Sequence, residues 1–126
     1  MARLLKIRQS SEDYLEKILM LQEKLGYARS VDVADELGVT KPSVSVAMKR
    51  LRENGYIVFG KENHIILTEK GRDIAERIYD RHKVLTKFFE TLGVQASIAA
   101  KDACLIEHVI SEESYGAVVR FVHRSL

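Results

Sequence analysis

The sequence predicts a mainly α protein: a helix-turn-helix unit with a small two-stranded wing, followed by an all-helical region. Apolar residues recur at helical spacing along most of the 126 residues. Gly38-Val39-Thr40 separates two short amphipathic stretches, with the only proline, Pro42, directly after it. Two β-rich runs, Tyr56-Ile57-Val58-Phe59 and His64-Ile65-Ile66-Leu67, flank Gly60-Lys61-Glu62-Asn63, which reads as a turn. A chain of this length buries one moderate core, or a small domain with a helical extension. The expected division is 1–72 for the helix-turn-helix and wing, and 73–126 for the helical region.

The first helix is expected to begin at Ser10 or Ser11, carry an apolar stripe of Tyr14, Ile18, Leu21 and Leu25, and stop at Gly26. Its opposite sector holds Asp13, Glu16 and Met20; a capping-box pairing of Asp13 with Ser10 is the structural alternative for that acid. A short helix from about Ser30 to Leu37 follows, then one from about Lys41 to Asn54 closed by Gly55. Thr40 is suited to cap the latter, and Pro42 falls in its first turn, where a missing N–H costs nothing. After the wing, Thr68 caps a long helix to about Leu92, with a stripe of Ile74, Ile78, Leu85, Phe88, Phe89 and Leu92 that His82 interrupts. Residues 95–100 read as a connector. A helix containing Cys104-Leu105-Ile106-Glu107-His108 comes next, and Ser111 caps a last helix bearing Tyr115, Val118, Val119 and Val122.

Charged residues make up 30% and apolar residues 46%, an ordinary globular balance without a disordered tract. The single cysteine excludes an internal disulfide, and no apolar run approaches the ~18 residues of a membrane span. No cleavable signal opens the chain, so a cytoplasmic location is expected. The net charge of +2 is too small to argue for nucleic acid, but its distribution is uneven. Between Lys41 and Lys61 lie Lys49, Arg50 and Arg52 against the single acid Glu53, and Arg3, Lys6 and Arg8 add charge at the N-terminus.

Val33 to Val39 followed by Ser43-Val44 and Leu51 has helix-turn-helix spacing: Ala34 permits close helix approach, Gly38 the turn, and Val39, Val44 and Leu51 an inner face. The outer face offers Thr40, Lys41, Pro42, Ser43, Ser45 and Lys49. Small residues at its start allow entry into a major groove, hydroxyls can bond base edges or phosphates, and proline can touch thymine methyls. Lys49 and Arg52 suit phosphates, and Lys61 at the wing tip suits the backbone or minor groove. A helix pair used for protein contact is the competing reading, and the wing and local basic excess favour double-stranded DNA.

At ~100° per residue, Cys104, Glu107 and His108 share one helix face, while Leu105, Ile106, Val109 and Ile110 form an opposite, packing face. Sulfur, carboxylate and imidazole are the common transition-metal donors, and adjacent turns let them converge. A lone cysteine is ordinarily a small buried hydrophobe, and a Glu-His pair ordinarily a solvated face. His82, likewise, is either a satisfied core histidine or a ligand.

With the winged helix-turn-helix, Glu12-Asp13-Tyr14-Leu15-Glu16, Arg81-His82 and Asp102-Ala103-Cys104-Leu105-Ile106-Glu107-His108, nearly the whole chain resembles the diphtheria-toxin-repressor family of metal-dependent regulators. The resemblance is closer to the manganese-sensing branch. It implies metal ligands at Asp13, Cys104, Glu107 and His108, with Glu16 and His82 matching further ligands of that branch. Cys104 instead matches the iron-sensing branch. Thr86 and Ala100 stand where an ancillary site would have an acid and a histidine. The longer members' C-terminal barrel domain is not expected in a chain ending at Leu126.

The implied function is a repressor of metal-homeostasis genes, not an enzyme, in which Mn²⁺ or Fe²⁺ orders a homodimer for operator DNA. The ion would clasp Asp13 and Glu16 to His82, Cys104, Glu107 and His108, and Leu105, Val109, Tyr115, Val118, Val119 and Val122 would pair two chains. Two-fold operators space half-sites by ~34–36 Å or a multiple, so fixing two readers in register favours binding. Metal and DNA would then be reciprocally coupled, by ~1–3 kcal/mol. Carboxylates and imidazoles suit Mn²⁺ or Fe²⁺, with Mn²⁺ favoured, and the thiolate moves preference toward Fe²⁺, Co²⁺, Ni²⁺ or Zn²⁺. The alternatives are a metal-independent winged-helix regulator answering an organic ligand or protein partner, and a metallohydrolase, against which no second catalytic constellation is visible.

Overall fold

The computed structural model describes residues 2–125, with side chains from Ser10 to Arg124. The side chains of Arg3, Lys6 and Arg8 lie outside the described residues. Two compact units, Met1–Glu76 and Arg77–Leu126, divide the chain inside a long helix. No helix among the described residues is long and apolar enough to cross a membrane.

The first unit is built as α1 (Ala2–Leu25), α2 (Ser30–Leu37), α3 (Lys41–Glu53), β1 (Ile57–Phe59), a 3₁₀ turn (Lys61–Asn63) and β2 (Ile65–Leu67). Helix α1 runs unbroken through Ser10 and Ser11, so neither starts it and the Ser10–Asp13 capping box does not arise. Its core side is Leu15, Ile18, Leu19 and Leu21, whereas Leu25 is exposed and Tyr14 half-buried. The stripe is therefore rotated from the one expected, and it carries the buried acids Glu12 and Glu16 with it.

Helix α2 ends at Gly38 in the left-handed conformation, φ 66°, which provides the tight turn. Thr40 caps α3 as expected: its Oγ1 accepts from the Ser43 N–H at 3.3 Å, and Pro42 occupies the first turn. Val44, Met48 and Leu51 face the core, while Val39 is 39% exposed and belongs to the turn surface, not the expected inner face.

Strands β1 and β2 pair antiparallel with Val58 opposite Ile66; both are shorter than expected, since Tyr56 and His64 lie outside them. Ile57, Ile65 and Leu67 alternate inward while Val58 and Ile66 face out. The free edge of β2 is tied to the helices, because the Ile65 N–H donates to the Ala28 carbonyl at 2.7 Å and Gln22 donates to the Ile65 carbonyl at 3.0 Å.

The long helix α4 (Glu69–Thr91) begins where Thr68 Oγ1 accepts from the Gly71 N–H at 3.2 Å and donates to the Gly55 carbonyl at 2.6 Å. Gly71 is required there, since a Cβ would stand 2.0 Å from the Tyr56 carbonyl oxygen.

The second unit holds the rest of α4, then α5 (Ala96–Ile106) and α6 (Glu112–Ser125). Ile78 and Leu85 are buried on α4, Leu92 is 58% exposed, and Phe88 meets Phe121 edge-on with ring centroids 5.5 Å apart. Two expectations are corrected. Residues 96–100 are the first turns of α5, where the small Ala99 and Ala103 are buried, and are not a connector. The Cys104–His108 helix stops at Ile106, leaving Glu107 as its C-cap and His108 in the following turn. Ser111 caps α6, accepting from the Ser114 N–H at 3.1 Å.

Candidate metal centre and nucleic-acid interface

In the second unit the end of α5 brings its donors onto a central carboxylate. Glu107 is fully buried, with Oε2 2.9 Å from His82 Nδ1 and Oε1 3.5 Å from His108 Nε2. A ligating atom of Cys104 and one of His82 each lie within 4.8 Å of a Glu107 carboxylate oxygen. The cluster forms at the end of α5: Cys104 lies in its last turn, Glu107 is its C-cap with helical φ/ψ and reaches His82 of α4, and His108 follows in the turn. Two imidazoles, a carboxylate and a half-buried thiol are a donor set that fits a borderline divalent cation.

Arg81, which entered only as part of a resemblance, organises this turn. Its buried guanidinium donates from Nη1 to the Glu107 carbonyl at 3.2 Å and the Ile110 carbonyl at 2.8 Å, and from Nη2 to the Glu112 carboxylate. It also lies over the Tyr115 ring, 5.0 Å from the centroid. Burial pushes the Tyr115 phenol above its ordinary range, reinforced by Asp80 and opposed by Arg81. Arg81 lies in mid-α4, 26 positions from Glu107, so no local pattern in the sequence marks it as the partner of the carbonyls that end α5.

The first unit carries Asp13 and Glu16 at i, i+3 on α1, the former half-buried and the latter 2% exposed. Burying carboxylates is costly unless cations or donors balance them, so Glu16 is a position where positive charge is favoured.

Of the residues expected to pair chains, Leu105 and Val109 are 68% and 59% exposed and lie at the surface of the single chain. Tyr115, Val118 and Val119 are half-buried. Val122 is 5% exposed: it packs within its own chain and leaves little surface for a partner.

Thr40, Lys41, Pro42, Ser43, Ser45, Lys49, Arg52 and Lys61 are all exposed on α3 or the wing tip. Arg52 lies over Phe59, 6.0 Å from the ring centroid, which braces the end of α3 against the wing. Arg29 and Asp32 close the start of α2 with a 3.1 Å ion pair, and that carboxylate raises the pKa of Arg29. Tyr27 and His64 stack at 4.9 Å.

Residues 6–65 match the iron dependent repressor, N-terminal DNA binding domain, and residues 68–125 match the iron dependent repressor, metal binding and dimerisation domain. The HTH-type transcriptional regulator MntR of Listeria welshimeri is 41% identical over 115 residues, covering 89% of this chain and 81% of the relative. The chain belongs to the diphtheria-toxin-repressor family of metal-dependent regulators. Another family relative, MntR of Listeria monocytogenes, shows the same identity and coverage. Among solved structures, the manganese regulator SloR superposes with a TM-score of 0.78 at 26% identity, over 90% of this chain and 53% of that one. The crystal structure of T. acidophilum IdeR gives 0.80 at 25% identity, over 89% of this chain and 53% of that one. The chain thus spans about half the length of these solved family members.

Proposed function

We propose that this chain is a metal-dependent DNA-binding repressor, in which Mn²⁺ or Fe²⁺ binding orders a homodimer for operator recognition. The observation that carries this reading is the buried Glu107 carboxylate held between His82 and His108 with Cys104 beside it, in a chain whose other unit presents a basic helix-turn-helix surface. The residues that would hold the ion are Asp13 and Glu16 of the first unit and His82, Cys104, Glu107 and His108 of the second. When bound, the cation supplies positive charge that several carboxylates and imidazoles share.

The chain's own residues do the rest. His82 orients Glu107, Arg81 holds the carbonyls of the turn that carries it, and Asp13 and Glu16 make the DNA-reading unit responsive to the ion. Lys49, Arg52 and Lys61 meet phosphates, while the start of α3 enters the major groove. Leu105 and Val109, exposed in the single chain, supply apolar surface for the second copy. Cytoplasmic placement follows from a partner that is chromosomal DNA.

The test is a fluorescence-anisotropy titration of duplex DNA with Mn²⁺, Fe²⁺ or chelator, with molecular mass measured alongside. Tight binding only with metal, by a dimer, is the expected result. Equal binding in chelator would instead support a regulator answering an organic ligand or protein.

A further inference from the structure

We infer that Val46 is a base-reading residue, pairing with Pro42 to recognise the C5-methyl group of thymine in the operator. The inference rests on the DNA-binding reading above and adds to it a specificity determinant that polar and charged residues do not supply.

Val46 is 60% exposed in the middle of α3, whose core side is closed by Val44, Met48 and Leu51 at 0–2% exposure. With Val44 at zero on a helical wheel, Pro42 stands at ~160° and Val46 at ~200°, astride the direction pointing away from the core. They are spaced i, i+4, so they form a short apolar ridge on the outward line of the helix, flanked by Ser43, Ser45 and Lys49. A β-branched residue here contributes nothing to helix propensity, where alanine, lysine or glutamine would do better.

The hydroxyls at the start of the helix are partly engaged in its cap. Thr40 Oγ1 accepts from the Ser43 N–H and donates to Ser43 Oγ at 2.9 Å, so its only proton is engaged inside the cap. Reading by Thr40 donation is therefore reduced, and the outward centre of the helix is left to apolar side chains. The cationic ring of Lys41, Lys49, Arg50 and Arg52 selects a polyanion as the occupant of this face. Within a major groove, the one apolar feature on a base edge is the thymine methyl, and a valine offers neither donor nor acceptor for anything else.

The experiment begins by selecting duplexes from a random pool with the full chain and Mn²⁺. Each thymine of the selected site is then replaced by deoxyuridine, which deletes only the methyl group, and affinities are measured for wild type and Val46→Ala. Alanine keeps the helix, because the position is exposed and alanine is the better helix former. The expected result is one thymine per half-site whose replacement weakens wild type about three- to fivefold, the scale of one buried methyl, with a clearly smaller loss in Val46→Ala, where Pro42 alone remains. Identical deoxyuridine sensitivity in both proteins, or a selected site without thymine facing α3, overturns the inference and leaves the repressor reading intact. No Mn²⁺-dependent enrichment of any sequence overturns the repressor reading and the inference together.

Discussion

His82 Nδ1 stands 2.9 Å from Glu107 Oε2, joining the middle of α4 to the C-cap of α5. One contact fixes both an imidazole rotamer and a buried carboxylate, which is the arrangement that presets ligands before an ion arrives. Glu107→Gln keeps the volume and a hydrogen-bonding oxygen but removes the charge. Its melting temperature in chelator should stay near wild type, whereas the stabilisation by Mn²⁺ should disappear. For a site filled at 100 times its Kd that stabilisation is about 2.7 kcal/mol. Thermal denaturation with and without MnCl₂ measures it, and an undiminished Mn²⁺ response in Glu107→Gln would remove that carboxylate from the ligand set.

Arg81 is 4% exposed and holds the Glu107 and Ile110 carbonyls together with the Glu112 carboxylate. Arg81→Met leaves those acceptors without their shared donor, so unfolding free energy should fall by about 3–5 kcal/mol. Arg81→Lys restores a charge but not the fork, and should recover only part of the loss. Urea denaturation distinguishes the two; a lysine variant as stable as wild type would mean that charge alone, not geometry, matters at this turn.

Gly71 lies where a Cβ would press on the Tyr56 carbonyl at 2.0 Å, beside the Thr68 cap. Neither backbone has room to yield without breaking the bond from the Thr68 N–H to that carbonyl, 3.0 Å long. Gly71→Ala should cost about 2–4 kcal/mol despite alanine's better helix propensity. A melting temperature equal to wild type would show that the junction between wing and α4 can separate freely.

Helical and strand periodicity made the α2–α3 pair, the wing and α4 legible, because local signals agreed there: Gly38 at a turn, Thr40 at a cap, alternation in β2. The start of α1 and the end of α5 were not legible for the same reason in reverse. Ser10 resembles a cap yet the helix runs through it, and Glu107 continues a helical pattern although the chain turns at Ile106. Non-local bonds from Arg81 fix that turn, and no window around residue 107 contains them. The donors of the candidate centre were readable as residue types, but the contact between His82 and Glu107 spans 25 positions and needed the fold.

Lys49 is exposed on the outer side of α3 and is suited to a single phosphate. Lys49→Ala should weaken binding by a similar factor on every duplex and reduce the slope of log K against log salt by about 0.9. Anisotropy titrations at several salt concentrations, with metal held saturating, give that slope directly. An unchanged slope would take Lys49 off the phosphate-contact surface.

Cys104 decides how far this centre departs from one built of oxygen and nitrogen alone. Its thiol is half-buried at the end of α5, within 4.8 Å of a Glu107 carboxylate oxygen, so sulfur and oxygen donors address the same space. A thiolate favours Fe²⁺, Co²⁺, Ni²⁺ and Zn²⁺ over the harder Mn²⁺, whereas a carboxylate in its place favours Mn²⁺. Cys104→Asp shortens no backbone and keeps a negative donor, so its effect should lie in metal ranking more than in stability. At matched saturation, wild type should be activated for operator binding by Fe²⁺ and Mn²⁺ alike, and Cys104→Asp by Mn²⁺ in preference. Zn²⁺ should bind wild type tightly yet activate it poorly, because its tetrahedral preference engages fewer of the donors. Activation curves for each metal on both proteins separate affinity from activation; the same metal order in both would show that sulfur does not tune selectivity.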